Sequence, residues 1–181
     1  MKNKNLIDEN VSYVLVSNHQ SLLDIIASIL SCKNTFRFLA KAELVKVPLL
    51  GYVIKRLYIP VERKDKHARS KSIDNLKKSL NEGVSVFIYP EGTRNRTTRP
   101  LLDFYDGAFR LAIDNQTPIG VLTILDSRKI HSPLRFFDLN PGVIHCVWDA
   151  PVSTVGLMQK DLPALKEKVR GLMLKNLPAN L

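Results

Sequence analysis

Six short runs rich in β-branched and aromatic residues alternate with stretches of helical periodicity along this chain. The runs cover residues 11–17, 36–40, 57–60, 84–89, 119–125 and 143–148. Several are apolar at every position, the pattern of strands buried on both faces. Helical patterns fall at 21–30, 42–46, 49–56, 68–81, 107–115 and 163–177. In the fourth, Ile73, Leu76 and Leu80 share a face, and Gly83 can end the helix in a left-handed conformation. In the last, Pro163 suits a first turn, and Leu165, Val169, Leu172, Met173 and Leu177 form a buried stripe. Such alternation predicts an α/β fold with a mixed, partly parallel central sheet flanked by helices. The 181 residues carry no internal repeat, low-complexity tract or linker, so a single domain over 1–181 is expected.

In open α/β sheets, chemistry collects where loops leave the carboxyl ends of strands. Two such loops stand out here. The first reads Asn18-His19-Gln20-Ser21, with Asp24 five residues after His19. Five helical steps separate side chains by about 140°, so the two cannot share a helix face. His19 can meet Asp24 only from the loop, folded back over the helix start. Asp24 would then bind one ring nitrogen and leave the other to take a proton. No protein nucleophile accompanies the pair, so a substrate would supply the hydroxyl. The alternative is a cap, with Ser21 and Asp24 satisfying the first N–H groups of the helix.

The second loop reads Pro90-Glu91-Gly92-Thr93-Arg94. Pro90 ends the strand because it lacks a ladder donor. Gly92 permits a tight turn, Thr93 adds a hydroxyl and Arg94 a fork of donors, which together form an anion cradle. Glu91 would repel an anion unless it orients a cation such as Arg94 or hydrogen-bonds a substrate hydroxyl. Neither a phosphate-binding G-x-x-x-x-G-K-[ST] loop nor a G-x-S-x-G elbow occurs in the sequence.

Asn18-His19 with Asp24, followed by Tyr89-Pro90-Glu91-Gly92-Thr93-Arg94, resembles the glycerolipid acyltransferase family, which includes the 1-acylglycerol-3-phosphate acyltransferases. Lys41-Ala42-Glu43-Leu44, Pro48, Gly51, Ile59-Pro60-Val61 and Arg63 are similar to the family's second block. Gly107-Ala108-Phe109-Arg110 and Thr117-Pro118-Ile119 are similar to later ones. The resemblance implies an enzyme that moves a fatty acyl group from coenzyme A or acyl carrier protein to a lysophospholipid, giving phosphatidic acid. His19 would be the general base on the glycerol hydroxyl, and Asp24 would orient it. Arg63 and the Glu91-Gly92-Thr93-Arg94 loop would hold the acceptor phosphate, with Asn18 and Lys41 among the substrate-binding residues. No bound cofactor or metal is implied; the acyl thioester is a substrate.

Three positions depart from the family pattern. Eighteen residues precede His19, where relatives often carry an apolar membrane-docking segment. Tyr105-Asp106 stands where lysine is frequent. That change favours an alternative acceptor, a lyso-aminolipid or other lipid alcohol without phosphate, unless Asp106 is a solvated surface charge. Gly120-Val121-Leu122 stands where a second proline is common.

Charge and composition bear on partners and location. Twenty-seven Lys and Arg against 17 Asp and Glu give +10, which predicts attraction to anions. Basic residues concentrate at 62–78, and the mixed apolar and basic segment 52–58 reads as core or as a shallow membrane insertion. No apolar run reaches the ~20 residues of a spanning helix, and residues 1–12 carry positive charge without an apolar stretch behind it, so they are not expected to act as a signal peptide. With only Cys32 and Cys146, a disulfide scaffold is excluded. The expected location is cytoplasmic, peripheral on an anionic inner membrane face. A nucleic-acid-binding module lacks a recognisable motif and has only 7% aromatics to stack bases. A non-catalytic lipid binder would have no use for both His19 and Asp24. His67, His131 and His145 lack partners at metal spacing and read as structural or surface residues. Trp148 is expected in the core.

Overall fold

The computed structural model describes residues 1–41, 58–61, 66–132 and 139–178; at 40–41, 58–61 and 66–71 it is the backbone course that is described. The expected helices at 42–46 and 49–56, and the reading of 52–57 as core or membrane segment, lie outside the described residues. So does the segment 133–138.

After a single 3-10 turn at Lys4–Leu6, the chain runs β1 (Val14–Ser17), α1 (Leu23–Ser31), β2 (Phe36–Lys41), β3 (Tyr58–Val61) and α2 (Lys66–Asn81). It continues with β4 (Ser85–Ile88), α3 (Gly107–Asp114), β5 (Ile119–Leu125), α4 (Ser127–Ile130), β6 (His145–Trp148) and α5 (Leu162–Asn176). The strands form one six-stranded sheet in the order β3-β2-β4-β1-β5-β6. Every pairing is parallel except β5 with β6. A parallel sheet must be covered on both faces, and the alternation along each strand divides the core accordingly. Val14, Val16, Val86, Ile88, Ile119 and Val121 face α2, α3 and α5 through Leu76, Leu80, Phe109, Leu165, Val169 and Met173. Leu15, Phe87, Leu122, Ile124 and Trp148 face the other way, toward Ala27 of α1 and toward Ile7.

Details of the helices follow the chemistry of their sequences. Gly83 ends α2 at φ +79°, and Pro163 occupies the first turn of α5. Leu165, Val169 and Met173 are buried, with Leu172 packed at the margin. Ile73 corrects the expected stripe of α2, for it is 37% exposed. It stands on the flank of the helix while Leu76 and Leu80 enter the core. The short helix α4 falls outside the helical patterns seen in the sequence, because four residues are too few to show a period.

Strand order places the site. β1 and β4 are parallel neighbours with Val16 opposite Ile88, so the loops that follow them leave the same edge side by side. From there the chain departs to opposite faces, β1 into α1 and β4 into α3. A crevice forms where neighbouring strands send their connections to opposite sides.

Candidate functional site

His19 sits in the loop between β1 and α1 and folds back over the helix start. Its Nδ1 lies 3.0 Å from Oδ2 of Asp24, which is fully buried in the first turn of α1. The same Oδ2 accepts the backbone N–H groups of Gln20 and Ser21 at 2.6 and 2.7 Å. Ser21 Oγ accepts the N–H of Leu23 at 3.3 Å. One carboxylate therefore meets both the histidine and the turn that precedes α1, while the helix end itself, with Leu22 as N-cap, takes no side-chain cap. The turn closed on Asp24 folds His19 back over the helix start.

The loop after β4 grips the peptide of His19 from both sides. Its N–H donates to Glu91 Oε1 at 2.8 Å, and its carbonyl accepts the N–H of Asn95 at 2.7 Å. Glu91 Oε2 accepts the N–H of Leu102 at 2.8 Å, and the side chain is 1% exposed. Burial pushes the Glu91 carboxyl up to about 7, helped by the charge of Asp24 and opposed by the N–H donors of Leu102 and His19 and by Arg170. This corrects the expectation for Glu91. Among the described residues it makes no hydrogen bond or ion pair with Arg94, and it is buried; its two oxygens each take one backbone N–H, His19 on one side and Leu102 on the other, and so tie the two segments together.

Asn18 is corrected in the same way. Its amide donates to the carbonyl of Ile124 and accepts the N–H of Ile124, both at 2.8 Å, and it is fully buried. With both ends of the amide engaged, it clamps the β1 loop to β5 and presents nothing to a substrate.

Gly92 adopts φ +68°, as a tight turn there requires, and its N–H closes that turn on the Tyr89 carbonyl at 2.9 Å. That N–H is therefore engaged; of the other residues expected in the anion cradle, Thr93 is exposed and Arg94 half-buried. Among the described residues Arg94 makes no ion pair. Lys41 closes β2 at the same edge of the sheet, with its backbone opposite Val61. The side chain of Lys41 and the whole of Arg63 lie outside the described residues. Asp106 pairs with Lys166 at 2.8 Å, so its charge is met within the surface.

Three contributors escape a reading of the sequence. Tyr89 stacks on the His19 ring with centroids 4.1 Å apart and planes 17° apart. Asn95 holds the loop in shape, accepting from both the N–H and the hydroxyl of Thr97 and donating to the Arg99 carbonyl. His131 is buried, with Nδ1 3.1 Å from Ser21 Oγ. Only Tyr89 lay within a motif, and the other two are joined to the site across distances in sequence that leave no local signal. The edge of His19 bearing Nε2 makes no hydrogen bond among the described residues. The arrangement is a histidine held by a buried carboxylate at one ring nitrogen, with the other nitrogen and the guanidinium of Arg94, on the adjoining loop, unpaired among the described residues. No group of His, Cys, Asp and Glu suited to a metal ion occurs among the described residues.

A model of the acyltransferase family matches residues 1–124. The mouse 1-acyl-sn-glycerol-3-phosphate acyltransferase alpha is 33% identical over 165 residues, covering 90% of this chain and 57% of the relative. The chloroplastic 1-acyl-sn-glycerol-3-phosphate acyltransferase of Arabidopsis thaliana is 31% identical over 150 residues, 82% of this chain and 42% of the relative. The crystal structure of the 1-acyl-sn-glycerophosphate acyltransferase of Thermotoga maritima matches with a TM-score of 0.78 over 97% of this chain and 68% of that one. At 24% identity that likeness concerns the fold. The chain spans about half the length of the curated relatives it matches.

Proposed function

The chain belongs to the acyltransferase family, and from that premise we propose that it transfers a fatty acyl group from an acyl thioester to the free hydroxyl of 1-acylglycerol-3-phosphate, giving phosphatidic acid. The observation that carries this reading is the contact of His19 Nδ1 with Asp24 Oδ2 at 3.0 Å, which leaves Nε2 open. Nε2 removes the proton of the acceptor hydroxyl as its oxygen attacks the thioester carbonyl. The new C–O bond forms, the C–S bond breaks, and the imidazolium returns its proton to the departing thiolate of coenzyme A or acyl carrier protein. Asp24 holds the tautomer and balances the imidazolium charge. Thr93 and Arg94, with Arg63 and Lys41, hold the acceptor phosphate; a guanidinium that makes no ion pair among the described residues supports this role. The reaction so written draws on two substrates and no prosthetic group.

The phosphate acceptor is preferred over a lyso-aminolipid because Lys166 already neutralises Asp106. The proposed site of action is the cytoplasmic face of an anionic membrane, bound peripherally. No described helix is long and apolar enough to cross a membrane. The net charge of +10 and the exposed Ile26, Ile29 and Leu30 on α1 support attraction to such a surface.

The test is transfer from a long-chain acyl-coenzyme A to lysophosphatidic acid in vesicles, beside a lyso-aminolipid acceptor. His19→Ala should lower turnover at least about 10²–10⁴-fold, the usual worth of a positioned general base. Activity of His19→Ala within a few-fold of the unmodified chain removes His19 as the base. A clear preference for the lyso-aminolipid removes the phosphate acceptor.

A further inference from the structure

A contact with Asp24 through Nδ1 fixes one point of the His19 ring and leaves the ring free to swing about that point. The freedom is removed from the face. Tyr89 lies flat against the imidazole, 4.1 Å between centroids and 17° between planes. Tyr89 is itself held on two sides. Phe38 of β2 stacks with it at 6.2 Å and 14°, and its hydroxyl lies 3.0 Å from Ser28 Oγ. Ser28 stands four residues after Asp24 on α1, one turn further along the same helix face. A single helix therefore grips the histidine twice, at its edge through Asp24 and at its face through Ser28 and Tyr89.

We propose that Tyr89, anchored by Ser28, is a positioning residue that sets the plane of the His19 imidazole and favours its protonated form during turnover. The electron-rich face of an aromatic ring attracts a cation above it, and the attraction grows where water is excluded. The His19 side chain is 13% exposed, so the stacked face is dry. The inference rests on the reading of His19 as the base. Other charged or titratable groups surround the pair: Asp24 from α1, Glu91 from the loop after β4, Arg170 from α5 behind Glu91, and His131 through Ser21. Substitutions at Tyr89 and Ser28 leave all of these in place, so a change in His19 reports the ring itself.

The experiment compares Tyr89→Phe and Ser28→Ala, which keep the ring, with Tyr89→Leu and Tyr89→Met, which remove it at two different volumes. Two readouts are taken on the folded chain: the titration of His19 by ring-nitrogen NMR, and kcat and KM for acyl transfer across pH. The ring-less variants should lose about tenfold in kcat with KM changed less than about threefold, the pattern of an interaction made in the transition state. Their His19 titration should fall, and the pH profile of kcat/KM should move with it. Tyr89→Phe and Ser28→Ala should lose less, in the same direction. An unchanged His19 titration in either ring-less variant overturns the proposal, as does a loss confined to KM. Failure of the acyl-transfer reading shows separately, as an inactive unmodified chain or an active His19→Ala, because the NMR titration does not depend on substrate.

Discussion

Oδ2 of Asp24 meets three donors, the ring of His19 and the N–H groups of Gln20 and Ser21, while Oδ1 is buried without a partner among the described residues. An unpaired buried acceptor ordinarily costs about 1–3 kcal/mol. Here the fold tolerates it to concentrate the turn and the base on one atom. Spacing alone conveyed that His19 had to fold back on Asp24, because helical geometry forbade any other meeting. It could not convey the role of Glu91, whose partners His19 and Leu102 stand 72 and 11 residues away. Asn18 was obscure for the same reason, with its partner 106 residues off. Glu91 also makes a prediction at this scale. Its carboxyl is raised from the ordinary 4.5 to about 7, so the folded chain keeps a proton there that the unfolded chain releases. The contribution is present at low pH and is lost as pH rises between these two values; above about 7 it is constant. Urea midpoints should fall from pH 5 to pH 7.5 in the unmodified chain, and the step should be absent in Glu91→Gln.

Among the elements, the strands were the most legible. Residues 119–125 form a strand over the full predicted length, and the others differ by one to three residues at their ends. Strands buried on both faces leave long apolar runs that need no partner to be recognised. Pairing order is another matter, since nothing in the runs themselves says that β1 lies between β4 and β5. Gly120 shows how pairing imposes a requirement after the fact. It lies opposite Leu15 in the β1–β5 ladder, and a Cβ there would stand 2.7 Å from Leu15 Cδ2, with Ile7 and Trp148 close behind. A proline at this position would also remove a donor from a strand paired on both sides. Gly120→Ala should therefore destabilise by about 1–3 kcal/mol, the cost of overpacking a filled core. Denaturant unfolding measures it, and an unchanged midpoint would mean that Leu15 yields freely.

For the whole molecule, sheet order does what no single motif can. It brings a loop at residues 18–21 and a loop at 90–95 to one edge and sends the following helices to opposite faces. The exposed apolar residues of α1 lie on the helix that carries Asp24, so a surface bound by that helix would present the crevice near lipid. The opposite end of the sheet order carries a different consequence. β6 is its outermost strand, and Lys2 is paired alongside it. The N–H of Lys2 donates to the Cys146 carbonyl at 2.8 Å, and its carbonyl accepts the N–H of Trp148 at 3.2 Å. The Asn3 amide adds a bond to the Trp148 carbonyl at 3.2 Å. An uncovered strand margin is a template on which other chains can pair. Removal of residues 1–3 should leave the His19–Asp24 contact intact and yet make the protein self-associate, seen as light scattering that rises with concentration. Those first residues act as a seal, and what they protect is colloidal stability.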